Sequence, residues 1–335
     1  MKMKKQKNNI LVIVAILALV VMSFNLIIAN EKQEKRKSGE SQISIDLTQK
    51  KGFASLTNSQ HPGNKIGYRF FEHVPLVFGT TPKTNEETNI NVQKQEEILK
   101  DFAGREDVII YKIQTNQTEH KEHWVDQSWT FYMVSVEDGI DMLLVIETEE
   151  IGLPSYYGAQ QCFRMSGRTN KEWRRAIAET PSFSEYDLWE SQEENEKTSL
   201  SWVLRNNIWE ELPAMDSCVG ARTPSGVSID NLRFQGDLTR VIGPYEGIPQ
   251  KPVDLGLTTR TNVEGTWISG LFWENTSHIT DHHPADCLHA IVNIGNIPPH
   301  SKRVIRGKIY WFEGTKDDLL KKWREDFTQH LGLTK

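Results

Sequence analysis

The sequence predicts an all-β protein built as a large antiparallel β-sandwich, with a few short helices and an apolar N-terminal helix. Three observations predict it. Short runs rich in Val, Ile, Thr and aromatic residues recur from about residue 66 onward. Two of the intervals between them carry hairpin chemistry, Asp138-Gly139 and Asn206-Asn207. Helical periodicity is confined to brief stretches.

Taken in order, the chain opens with Lys2, Lys4, Lys5 and Lys7 and no acid. It then runs for 20 residues, 10–29, broken only by Ser23 and Asn25. A basic start followed by a long, almost wholly apolar stretch is the pattern of an export signal or a membrane anchor. Ala29, with Ile27 two residues before it, offers an imperfect cleavage site, and the stretch is also long enough to cross a bilayer. Residues 1–29 are therefore read as a signal peptide or an anchor. In either case the lysines before the segment leave residues 30–335 outside the cytoplasm, so the chain is expected to be exported: periplasmic, extracellular or anchored facing outward.

Residues 30–64 are rich in Lys, Glu, Gln, Ser and Asn and read as a flexible polar linker, with one early strand where Ile43, Ile45 and Leu47 alternate with polar residues. The sandwich domain is expected over residues 65–335. Strands are expected at 108–114, 128–136, 142–146, 199–204, 208–212, 227–232, 266–273, 287–294 and 304–312. A helix is expected at 92–103, ended by Gly104. A second follows the Thr169–Glu172 capping pattern, carries Trp173 and Ile177, and stops before Pro181. A third starts at Thr315, where Asp318 completes an acidic capping box and Leu319, Trp323 and Phe327 form one stripe.

Composition narrows the function classes. The chain has 39 basic and 45 acidic side chains, net −6, and without the leader's four lysines the remainder is near −10. That excludes a nucleic-acid binder, which needs a basic face, and electrostatic docking to anionic lipid. Membrane contact is expected only through residues 1–29, if they are retained. The three cysteines, Cys162, Cys218 and Cys287, match no zinc-finger spacing; one disulfide or three buried thiols both remain open.

Three constellations carry polar chemistry. The densest is 281–289, with Asp281, His282, His283, Asp286, Cys287 and His289. Imidazole and carboxylate suit a first-row metal, and a metallohydrolase would bring His282, His283 and His289 to one ion at about 2.0–2.2 Å. A sugar-contacting loop around His283, or a polar loop entering a strand, explains the same residues. A strand beginning near Cys287 would put His289 on the face of Cys287 and Leu288 on the other. The second constellation joins Arg164 to Glu185, Asp187 and Trp189: planar donors and acceptors beside an indole face fit a sugar ring, and a structural Arg–carboxylate pair fits them too. The third is Trp273-Glu274 at a strand end, where Glu274 as base and His289 as acid would suit proton transfer at a sugar carbon. A core Trp beside a solvated Glu is the plainer alternative. No phosphate loop, dinucleotide-binding glycine fingerprint or nucleophile elbow is found, and no cofactor is implied.

Two stretches carry a family resemblance. One is His289-Ala290, Pro298-Pro299-His300-Ser301, Arg306-Gly307-Lys308-Ile309-Tyr310-Trp311-Phe312-Glu313-Gly314-Thr315, Asp318-Leu319-Leu320 and Asp326-Phe327. The other runs from Gln161-Cys162-Phe163-Arg164 to Ser184-Glu185-Tyr186-Asp187-Leu188-Trp189. Together, over about residues 155–330, they resemble the galactose-mutarotase-like β-supersandwich domains of exported bacterial proteins. The resemblance implies two large antiparallel sheets whose concave face meets carbohydrate, with a His acid and a Glu base. His289 and Glu274 are the candidates for those roles, although their order departs from the mutarotase pattern. The expectation is an exported carbohydrate-binding protein, with epimerase- or lyase-like proton transfer as its chemistry if it is an enzyme. A non-catalytic envelope module is the alternative.

Overall fold

Alternating apolar residues build two stacked sheets. The computed structural model describes residues 42–47, 53–61, 65–70, 76–78, 92–114, 127–150, 152–165, 200–211, 217–221, 250–262, 265–274, 276–282 and 287–327. The leader at 1–29, the expected strand at 227–232 and the expected helix after Thr169 lie outside them. The elements are β1 (Ile43–Asp46), β2 (Phe53–Asn58), β3 (Lys65–Arg69), β4 (Leu76–Phe78), α1 (Val92–Ala103), β5 (Ile109–Gln114), β6 (Gln127–Val136), β7 (Gly139–Thr148) and β8 (Leu153–Met165). There follow β9 (Leu200–Arg205), β10 (Ile208–Glu211), β11 (Ser217–Ala221), β12 (Gln250–Val253), β13 (Leu257–Thr261), β14 (Trp267–Trp273), β15 (Thr276–His282), β16 (Cys287–Ile297), β17 (Lys302–Glu313) and α2 (Lys316–Phe327).

Among the described residues, one sheet has nine strands in the order β1-β2-β3-β8-β16-β15-β11-β12, with β4 also on β8. The other has eight, in the order β10-β9-β13-β14-β17-β7-β6-β5. Pairing is antiparallel except between β11 and β12. The first sheet begins at Ile43, inside the stretch whose composition reads as a linker to residue 64. Its edge strand β1 exposes Ser44 and Asp46 around the more buried Ile43 and Ile45, and β2 buries the polar Ser55 and Asn58 together with Ala54 and Leu56, so the polar composition conceals both strands.

The core lies between the sheets. Trp129, Phe131 and Met133 of β6, Met142 and Leu144 of β7, and Ile305, Ile309 and Trp311 of β17 meet Leu288, Ala290, Val292 and Ile294 of β16. Each such large side chain contributes about 1.5–3 kcal/mol on burial. Trp273 joins this core against Phe131, 6.2 Å between ring centroids. It fits because Gly307 lies opposite: a Cβ there would come within 2.5 Å of the Trp273 ring. The β6–β7 hairpin forms as expected, but its turn is Glu137-Asp138. Gly139 already pairs with Val136 and serves close packing, since a Cβ on it would reach 1.8 Å from the Ile309 carbonyl oxygen. Asn206 and Asn207 do take the left-handed conformation, with φ of 53° and 60°, that a two-residue hairpin turn asks for.

The second face of the eight-stranded sheet is covered by the helices. Phe102 of α1 packs with Val134, Val136, Leu143, Val145 and Val304. Leu319, Leu320, Trp323 and Phe327 of α2 pack on Leu257, Ile268, Phe272 and Tyr310. The capping box at α2 is present: Thr315 N donates to Asp318 Oδ2 at 2.9 Å, and Asp318 N donates to Thr315 Oγ1 at 3.3 Å.

Beneath α2 lies a buried cation. Lys308 Nζ is 2.8 Å from Asp138 Oδ1, 2.8 Å from Asp326 Oδ2 and 3.5 Å from Asp141 Oδ1, and the residue is 3% exposed. Burial pushes the Lys308 ammonium down, but the charges of Asp141, Asp138 and Asp326 outweigh it and hold the group well above the usual lysine range. Burial likewise pushes the Asp138 carboxyl up, and Lys308 and Lys322 pull it below the usual carboxylate value. The cluster ties the β6–β7 turn to the end of α2. Lys308→Met removes the buried cation shared by three carboxylates and leaves Asp138 with Lys322 alone, so it should cost about 3–5 kcal/mol in urea unfolding. A loss under about 1 kcal/mol would contradict this role for Lys308.

Candidate functional site

The nine-stranded sheet carries polar residues on the face turned away from the core. Its central strand, β16, sends Leu288 and Ala290 inward, with Phe163 of β8 beside Leu288 and Tyr68 of β3 beside Phe163. Side chains alternate along a strand, so Cys287 and His289 belong to the opposite face. The register across four strands then fixes two lines of directly paired residues. One runs Arg69, Cys162, His289, Thr280, from β3 through β8 and β16 to β15. The next runs Gly67, Arg164, Cys287, His282. Cys162 is 0% and His289 4% exposed, so this face is buried at its centre.

Of the residues singled out from sequence, Arg164 and His289 occupy neighbouring positions in the strand register. They sit on adjacent strands of this face, offset by one pair, since Arg164 lies opposite Cys287 and Cys162 opposite His289. His282 joins them on the other side of β16. Glu274 does not. Trp273 enters the core, so Glu274 falls on the helix-covered side of the eight-stranded sheet, where its Oε2 accepts a hydrogen bond from Arg306 N at 3.2 Å. Glu274 is thus held at the end of β14 against the β17 backbone of the eight-stranded sheet, whereas His289 lies in β16 of the nine-stranded sheet. Trp273, wholly buried, meets Phe131 edge-on in the core and offers no platform to a ligand. Glu185, Asp187, Trp189 and His283 lie outside the described residues. Among the described residues no three His, Cys, Asp or Glu side chains gather around a common point as a metal set. Likewise, none of the described helices is long and apolar enough to cross a membrane.

Sequence reasoning missed Arg69 and the partnership of Cys162 with His289. Those residues are joined by strand register over long separations, and no local spacing signals it. It also missed a second buried imidazole. His61, after β2, stacks on Trp267 with centroids 4.1 Å apart and planes 8° from parallel, and its Nδ1 accepts a hydrogen bond from Trp311 Nε1 at 3.0 Å. Asn58 Nδ2 donates to the Trp311 carbonyl oxygen at 3.2 Å. Burial lowers the His61 pKa to about 4. Held neutral by its neighbours, His61 serves as an acceptor at the rim of the core.

Comparison with protein-family models and with characterised proteins gives no match. Solved structures do match. A Synechocystis protein aligns at 8% identity and TM-score 0.40, over 82% of this chain and 93% of that one. A galactose mutarotase-like protein from Lactobacillus casei aligns at 9% identity and TM-score 0.38, over 80% of this chain and 100% of that one. An alpha-N-acetylgalactosaminidase from Bifidobacterium bifidum, in its GalNAc complex, aligns at 11% identity and TM-score 0.35, over 86% of this chain and 37% of that one.

The lowered His61 pKa has a consequence for stability. The unfolded chain takes up the His61 proton near pH 6.5, the folded chain only near 4. The contribution of neutral His61 is therefore full above about pH 6.5 and is lost as the pH falls toward 4. Urea midpoints recorded from pH 7 to 4 should fall less steeply for His61→Phe than for the wild type. Parallel curves would rule out this linkage.

Proposed function

We propose that the chain is an exported carbohydrate-binding protein whose ligand is held on the outer face of the nine-stranded sheet. The observation that carries this reading is the pairing register that sets Arg164 and His289 on adjacent strands of one face, with Arg69 and His282 beside them. Fixed strands aim such groups better than loops do. Guanidinium and imidazole groups donate hydrogen bonds to sugar hydroxyls, and the guanidinium charge of Arg164 favours a saccharide bearing carboxylate or sulfate groups, in a chain whose net charge is −6. Glu185, Asp187, Trp189 and His283 are proposed as further contacts, Trp189 as the stacking platform. Export rests on the lysine-then-apolar start of residues 1–29.

Binding is the core of this reading. Epimerase- or lyase-like proton transfer would need a second titrating group within hydrogen-bond reach of His289, and Glu185 or Asp187 would have to supply it in place of Glu274. A glycan array followed by calorimetry, on wild type, Arg164→Met and His289→Gln, tests the proposal. A specific glycan signal is expected in the wild type. Each variant should weaken it at least tenfold, about 1.4 kcal/mol, while circular dichroism stays unchanged. Binding that persists in both variants, or no glycan bound by any of the three, would favour a structural module of the cell envelope.

A further inference from the structure

The turn that leaves β2 belongs to the nine-stranded sheet, yet side chains fasten it to the eight-stranded one. Asn58 Nδ2 donates to the Trp311 carbonyl oxygen at 3.2 Å, and Trp311 Nε1 donates to His61 Nδ1 at 3.0 Å. The His61 ring lies flat on Trp267, with 4.1 Å between centroids, and stands edge-on to Trp311 at 5.9 Å. The turn is itself braced. His61 N donates to the Asn58 carbonyl oxygen at 3.0 Å, Gln60 N to Asn58 Oδ1 at 2.9 Å, and Ser59 N to the Gln42 carbonyl oxygen at 2.8 Å. Asn58 and His61 are both buried. Residues 58–61 therefore carry a side-chain bridge from one sheet to the other at the rim of the core.

This bridge needs a neutral imidazole. An indole N–H can only donate, so Nδ1 must offer it a lone pair. A second proton turns Nδ1 into a donor, and two donors then face each other where one bond stood. The added charge also sits away from water. The neighbours return little. Gln42, Ser59 and Gln60 are uncharged. On β14 the facing group is the Trp267 ring, whose π face attracts a cation. On β17 Glu313 pairs opposite Trp267 and is exposed. Asp138, whose carbonyl oxygen accepts from Trp311 N, has its carboxylate committed to Lys308 and Lys322. Burial outweighs all of them and draws the His61 pKa down to about 4.

We propose that His61 is an acid-opened clasp: a proton taken from solvent at Nδ1 breaks the bond from Trp311 and frees the turn after β2 from the eight-stranded sheet, while the rest of the sandwich stays closed. The opening is local because β14 and β17 are held by their own ladders and by the intersheet core, whereas the turn reaches them only through Asn58 and His61. β3 begins at Lys65, soon after the clasp, and sets position 69 opposite Cys162. Acid thus loosens one flank of the face assigned to the saccharide. That consequence rests on the saccharide reading; the clasp itself does not, because its test needs no glycan.

The test is amide hydrogen exchange on the full chain from neutral pH into the acid range, corrected for the pH dependence of the intrinsic rate. The Ser59 and His61 amides should lose protection at least tenfold as the pH falls through about 4, while β6, β7, β16 and β17 keep theirs. The Trp311 indole N–H resonance should move upfield over the same range as its bond to His61 is lost. His61→Phe keeps a flat ring on Trp267 without a titrating group, so its turn protection should not change with pH. Trp311→Phe removes the donor, so the His61 midpoint read from its ring protons should rise. Should His61→Phe fail to fold, the wild type still decides: the His61 ring titration and the loss of turn protection must share one midpoint. Protection that survives the His61 titration, a loss shared by every strand at once, or the same loss in folded His61→Phe would overturn the proposal.

Discussion

The alternation of β16 is the constraint on which the candidate site depends. Leu288, Ala290, Val292 and Ile294 are all buried in the intersheet core, and this fixes which way the strand faces. Cys287 and His289 are thereby committed to the other face. A slip of one residue would carry an imidazole into a layer of Trp, Phe and Ile, and would send four apolar side chains out of it. Losing even two of those burials costs several kcal/mol, comparable to a large part of a domain's stability. The site is therefore a consequence of core packing: the same pairing that buries Leu288 beside Phe163 sets His289 beside Cys162.

The two sheets differ in what their second faces do. The eight-stranded sheet spends its outer face on structure, since α1 and α2 cover it and Lys308 with its three aspartates anchors α2 there. Glu274 belongs to that side and bonds the β17 backbone. The nine-stranded sheet instead carries arginine, histidine and cysteine positions in register on its outer face. The glycan proposal draws on that surface, which is why it rests on β3, β8, β15 and β16. His61 shows the contrast within the imidazoles: packed on Trp267 and accepting from Trp311, it completes the rim of the core.

Much of the fold was legible where local physics acts alone. The β6–β7 and β9–β10 hairpins, the β14, β16 and β17 runs and the Thr315 cap are written in short windows of sequence. Other strands were not. β13 reads Leu-Thr-Thr-Arg-Thr and looks like surface, yet Arg260 is 1% exposed and its Nε donates to Ser201 Oγ at 3.1 Å. β8 carries Gly and Gln through its middle and shows no clean alternation. The site was legible only in part. The opposite faces of Cys287/His289 and Leu288 follow from strand geometry, but the neighbours of His289 depend on which strands pair, and pairing is a property of the assembled sheet. Glu274 and His289 suggested a pair because a strand-end Glu lies upstream of the His-rich stretch and the family resemblance implies a His acid and a Glu base; which sheet each belongs to is set only on assembly, Glu274 ending β14 and His289 lying in β16.

The most direct test of this register is a methyl NOE measurement on Ile-, Leu-, Val- and Ala-labelled protein. Ala290 lies opposite Ile279 on β15, and both are buried. With the pairing described, a strong NOE joins the Ala290 methyl to an Ile279 methyl. Ala290 contacts to the Thr280 or His278 side chains, with no Ile279 cross-peak, would mean that the strand is shifted by one residue and that His289 faces the core.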